Sequence, residues 1–188
     1  MHNYAIICGG GERMWDELAE AREILGARSV SMCALNVAGV FVPNLDNWFV
    51  TSITKGISFT AMRESVREND AEYGAIHTPG HSFIPAMVAR QQFWPIETKG
   101  TIAMFAVRVL SSLGFKRILL AGIPLDDKSG YFYGAPWEKF GMSDEVISFW
   151  EQWAPQLRHV VRSLGGRTMD ILGRPTADWL GEETENET

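Results

Sequence analysis

The sequence has little with which to build a covalent or metal-bound scaffold. Of its 188 residues only two are cysteines, Cys8 and Cys33. Both lie inside apolar runs, no CxxC pair occurs, and no Cys/His spacing matches a zinc site. They are expected to be buried free thiols in a reducing compartment. No apolar stretch approaches the ~20 residues that cross a bilayer. The opening MHNYAIICGG has no basic leader and runs straight into a strand pattern, so the expected location is cytoplasmic, with no membrane contact. Basic residues are also in deficit, at 17 Lys and Arg against 23 Asp and Glu. That excludes the broad cationic footprint of an extended nucleic-acid surface.

The deficit is local. Glu182, Glu183, Glu185 and Glu187 sit in a polar terminal stretch, 182–188, expected to be a disordered acidic tail. The rest of the chain carries 19 acidic and 17 basic side chains. A nearly neutral body tolerates one pocket for a phosphate. Its apolar content of 46% and charged content of 21% suit a single globular domain over residues 1–181.

Buried runs bounded by glycine or a polar residue read as strands at Tyr4–Cys8, Ser29–Leu35, Trp48–Val50, Tyr73–His77, Arg117–Ala121 and Arg167–Leu172. Helical spacing covers Met14–Leu25, Ser58–Glu68 and Thr101–Leu113. A fourth helix opens at Ser143 and runs to Leu164, with Pro155 expected to kink or split it, and a short one covers Thr176–Leu180. The stretch His81–Glu97 reads mainly as loop. Alternation of this kind predicts an α/β fold, a mostly parallel sheet with helices on both faces. Ligands of such sheets bind beyond the carboxyl ends of the strands.

That rule nominates residues. Gly9, Gly10 and Gly11 follow the first strand, where a phosphate could approach the backbone or a tight turn could need the freedom. Read as GxGxxG, the third glycine position is Met14. The second strand ends in Asn36 rather than a ribose-binding acid, so NAD is not expected. Thr51 ends the third strand, and His77 and His81 flank the end of the fourth as candidate bases. Lys99, Gly100 and Thr101 precede the strongest helix without forming a Walker A loop. Gly122 follows the fifth strand, with Asp126 and Asp127 beyond it as candidate bases or as holders of Mg²⁺ through water. Tyr131, Tyr133 and Trp137 could form a lid or stacking wall.

The segments CGGGERMWDELAEAR, ALNVAG and KGTIAMFAVRVLSSLGFKRILLAGIPLD together resemble a three-layer Rossmann-like group. It includes bacterial sialyltransferases, motility-associated flagellin glycosyltransferases and the 6-hydroxymethylpterin diphosphokinase-like domain. The matching positions are Gly9 to Gly11, Asn36, Gly100 with Thr101, and Gly122 to Asp126. The chain is also similar to small phage and prophage proteins that share a GGG-x-x-x-W-x-D/E opening and a closing G-x-P-T-x-W-L segment, here Gly173–Leu180. The resemblance implies a nucleotide-binding transferase using a nucleotide sugar, and the cation of Lys99 beside the second turn is expected to neutralise the leaving phosphate. The alternatives are an Mg²⁺-dependent phosphotransferase or hydrolase of a nucleotide-like ligand, and a non-catalytic nucleotide- or protein-binding module. A homo-oligomer would complete the acceptor side of so small a chain, and some of the seven tryptophans suit such an interface.

Overall fold

The computed structural model describes residues 3–80, 91–96, 101–126, 128–134 and 143–181. The expectations placed on His81, Lys99, Gly100, Asp127, Trp137 and the tail 182–188 lie outside the described residues.

Seven strands form one parallel sheet: β1 Tyr4–Cys8, β2 Val30–Leu35, β3 Leu45–Phe49, β4 Tyr73–Pro79, β5 Gln91–Trp94, β6 Arg117–Ala121 and β7 Val161–Ser163. Their order is β5-β4-β3-β2-β1-β6-β7. The helices are α1 Met14–Leu25, α2 Ala38–Phe41, α3 Ile53–Arg67, α4 Ile102–Ser112, α5 Asp144–Leu157, α6 Gly166–Leu172 and α7 Ala177–Gly181. This is a three-layer α/β arrangement of the Rossmann-like kind.

Two cores sandwich the sheet because alternate residues of a strand point to opposite faces. Ile6 and Cys8 pack with α1, α2 and α7, whereas Ala5 and Ile7 pack with α4, α5 and α6. Each face is therefore apolar, and β1 and β6 are buried along their whole length. Helix α1 buries Met14, Leu18, Ala21 and Leu25 at three- and four-residue spacing and stops at Gly26, whose φ is +58°. Burying each large side chain of this stripe contributes about 1.5–3 kcal/mol. Helix α4 buries seven of its eleven residues, which fits its apolar composition on nearly every side.

The chain builds outward from β1 to β5, then returns to place β6 on the other side of β1. The order of strand addition reverses between these two parallel strands, and a crevice opens at their carboxyl ends.

Several elements differ from the sequence reading. Residues 167–172 form helix α6 rather than a strand, since a short apolar run does not fix its own period. The last strand is instead the three-residue β7, hidden within a pattern that read as continuous helix. Helix α5 runs through Pro155 and ends at Leu157, so the proline sits in its last turn instead of splitting it. Val37–Val42 holds the short α2, α3 starts at Ile53, and β3 lies nearer Leu45. Gln91–Trp94, read as loop, is the edge strand β5, paired to β4 alone.

Candidate ligand-binding site

A cavity of about 320 Å³ occupies the crevice at the strand reversal. Of the nominated residues, Gly9, Gly10, Asn36, Thr51, Thr101 and Gly122 line it. Gly11, His77 and Asp126 do not.

The side formed by β1 and β6 is sealed. A Cβ on Gly9 would fall 2.6 Å from Ile123 Cγ1 and closer still to the Gly122 carbonyl oxygen. One on Gly11 would lie 2.9 Å from that same oxygen. The glycines are thus required because the turn after β1 presses against the turn after β6. Their N–H groups are consumed there as well. Gly9 donates to Ala121 O at 2.8 Å, Gly11 to Gly122 O at 2.8 Å, and Glu12 to Gly130 O at 2.9 Å. Among the described residues only the Gly10 N–H of these four has no partner. The glycine turn is therefore mainly a packing device and offers at most one donor to a phosphate.

The wall after β6 is held equally firmly. Gly122 has φ +67° and Leu125 φ +49°, an uncommon conformation for leucine. The Gly122 N–H donates to Glu17 Oε2 at 2.7 Å, Thr168 Oγ1 donates to Ile123 O at 2.6 Å, and Arg167 N to Pro124 O at 2.7 Å. With these polar atoms engaged, Ile123, Pro124 and Leu125 present hydrocarbon to the cavity.

The opposite side is open. Thr101 caps α4 by accepting from Met104 N at 3.2 Å. The N–H groups of Ile102 and Ala103 have no partner among the described residues, and both residues line the cavity. The positive end of an eleven-residue helix adds its field there. Asn36 adopts φ +44° at the end of β2. Its Oδ1 accepts from Thr51 N at 3.2 Å, which turns the side-chain amide so that Nδ2 is left as a donor. Trp48 Nε1 donates to the Asn36 carbonyl at 2.7 Å and fixes this turn from beneath.

Tyr131 and Tyr133 close the cavity over Gly10. A Cβ there would meet both rings at 3.0–3.1 Å. The segment is pinned to the glycine turn by the Gly11–Tyr131 bridge and by Phe132 N donating to Gly10 O at 3.0 Å. Of the residues considered for a lid or stacking wall, Tyr131 and Tyr133 line the cavity. Trp15 and Phe41 extend the aromatic bank through edge contacts to Phe132.

The candidate bases fare differently. His77 is 1% exposed, and Trp94 Nε1 donates to its Nδ1 at 3.0 Å. Its Nε2 therefore carries the proton and donates to Asn47 Oδ1 at 2.9 Å. The ring stacks on Phe49 with centroids 4.8 Å apart. Burial lowers its pKa to about 4. Both nitrogens are spoken for, so the structure takes His77 out of the site and makes it a core link between β3, β4 and β5. Asp126 lies beyond the cavity. It accepts from Ser129 N at 2.7 Å and Lys128 N at 3.0 Å through Oδ1, and from Ser129 Oγ at 3.1 Å through Oδ2. Partial burial works to raise its pKa, but these donors prevail and lower it. It shapes the loop entering the tyrosine segment. Cys8 and Cys33 are free and buried, and burial raises both thiols, Cys8 to about 12. Neither is a nucleophile.

Sequence reasoning missed Glu17. Its side chain is 5% exposed, behind the wall after β6. Burial raises its pKa, with the Gly122 N–H pulling the other way. The signal was available: positions 14, 17, 18, 21 and 25 share the buried face of α1. No helix among the described residues is long and apolar enough to cross a membrane. No group of three His, Cys, Asp or Glu among them could hold a metal.

No protein-family description, curated protein or solved structure matches the chain.

Proposed function

We propose that the cavity binds a nucleotide and that the protein is a nucleotide-binding transferase using a nucleotide sugar. One observation carries this reading. Gly10, Asn36, Ile102 and Ala103, whose donors have no partner among the described residues, all line the cavity at the strand reversal, beside its apolar wall. Donors with no acceptors of their own suit an anionic, oxygen-rich ligand, and a helix N-terminus suits its phosphate. The apolar wall and the tyrosines suit a ring. The volume of about 320 Å³ falls within the range of small-ligand pockets. In transfer, the charge developing on the leaving phosphate would rest on the α4 N–H groups, a stabilisation of the oxyanion-hole type. With His77 and Asp126 both engaged, the base in this reading is His81 or Asp127.

A thermal-shift screen against nucleotides, nucleotide sugars and divalent ions tests it. A true ligand at 100 times its Kd adds about 2.7 kcal/mol of stability. No shift with any nucleotide would remove the reading.

The non-catalytic binding module has one observation in its favour. Among the described lining residues there is no carboxylate, imidazole, amine or guanidinium. Nucleotide binding without turnover of any nucleotide sugar would select it. The Mg²⁺-dependent alternative rests on Asp127 with Asp126, and unchanged turnover in EDTA would exclude it.

A further inference from the structure

We infer that Glu17 is a positioning residue that sets the apolar wall of the cavity from behind. It is a carboxylate in the first turn of α1, on the face that otherwise buries Met14, Leu18, Ala21 and Leu25. A helix N-terminus favours an acid in its first turn, as at the neighbouring Asp16, but a solvated one; burying Glu17 on the core face is costly unless it is well bonded. Among the described residues it has no ion-pair partner. Its side chain bonds the turn after β6, where Oε2 accepts the Gly122 N–H at 2.7 Å.

Two glycines are arranged around that contact. Gly122 takes φ +67°, and a Cβ on it would lie 2.5 Å from Met14 Cβ, one turn before Glu17 on α1. Gly165, the residue before α6, leaves room for the carboxylate. A Cβ there would run into Glu17 Oε1 and sit 2.9 Å from its Cδ. One side chain thus meets the turn after β6 and the turn after β7 while anchored on the helix that follows β1. Three of the chain segments behind the crevice are keyed to it. Gly122 begins the wall that continues through Ile123, Pro124 and Leu125, the last held at φ +49°. A wall containing two left-handed residues needs a fixed start, and the Gly122 N–H bond supplies it.

The experiment uses the full chain as Glu17→Ala and Glu17→Gln, with Leu157→Ala as a core truncation on α5 outside the cavity lining. The first readout is the hydrogen-exchange rate of the Gly122 amide divided by that of Leu119, so that global destabilisation cancels. In Glu17→Ala the ratio rises by about 100-fold, because a local bond is lost while β6 stays folded. In Glu17→Gln the side-chain carbonyl still accepts, and the ratio returns to within about tenfold of wild type. In Leu157→Ala it is unchanged. An unchanged ratio in Glu17→Ala, or an equal rise in Leu157→Ala, would overturn the inference.

The second readout is the affinity for UDP, CMP and ADP, and this arm rests on the nucleotide reading above. Glu17→Ala weakens the best of them by at least about tenfold, and Glu17→Gln recovers most of the loss. A raised exchange ratio with undiminished affinity overturns the positioning role. If wild type binds none of the three, the nucleotide reading fails for them, and the exchange ratio still decides for or against Glu17.

Discussion

The two sides of the cavity are built alike, each from a segment entering a helix, and they use their main-chain donors in opposite ways. After β1 the N–H groups of Gly9, Gly11 and Glu12 are given to the end of β6, to the turn after it and to Gly130. At the start of α4, Ile102 and Ala103 give theirs to no described residue, and Asn36 Nδ2 has no partner among the described residues either. The glycine-rich side looks more like a phosphate loop and behaves less like one. Close approach and ligand binding both call for glycine, and only the destination of each N–H separates them.

Breaking the sealed side has the largest effect. Gly9→Ala places a methyl against backbone that cannot yield, and the expected loss is about 3 kcal/mol by urea denaturation. If the turn were an open phosphate cradle, the variant would fold normally and lose only affinity. Away from both sides, His77 gives a second handle. Its pKa is depressed in the folded state, from an ordinary 6.5 to about 4. Its contribution is intact above pH 6.5 and is lost as pH falls toward 4, at up to about 1.4 kcal/mol per pH unit. Ligand affinity, measured where the fold is intact, stays flat over the upper part of this window. A parallel fall in affinity would return His77 to the site.

The open side responds in binding rather than in folding. Asn36→Gly keeps the positive φ while deleting the amide, and affinity is expected to fall about tenfold with little change in stability. Thr101→Ala removes the α4 cap at a cost of about 1 kcal/mol and loosens the Ile102 and Ala103 amides beside it. Gly10→Ala has the smallest effect on folding, below about 1 kcal/mol, since the tyrosine rings it meets are side chains that can shift. It sharpens the contrast with Gly9 one residue away.

The strand ends were legible because glycine and polar residues interrupt buried runs at Cys8, Leu35 and Ala121. That was enough to bring Gly9, Gly10, Asn36, Thr51, Thr101 and Gly122 to one crevice. The reason for the glycines was not legible, because the surface they fit, the Gly122 carbonyl, lies far along the chain. The error over His77 has a related cause. Its partner Trp94 belongs to β5, a four-residue edge strand with no period to betray it, so the histidine looked unengaged. Glu17 could have been found, since its spacing from Met14, Leu18 and Ala21 places it on the buried face. An acid in a helix reads by default as a solvated one.

The central claim is that the ligand is held by the α4 and β2 side, with Gly10 the one donor the glycine turn adds. A ¹⁵N-HSQC titration with UDP, CMP and ADP reads it directly. The account predicts that the Ile102, Ala103 and Gly10 amides and the Asn36 side-chain amide shift together, while Gly9, Gly11 and Glu12 stay near their free positions. Large shifts at Gly9, Gly11 and Glu12 with Ile102 and Ala103 unmoved would contradict it.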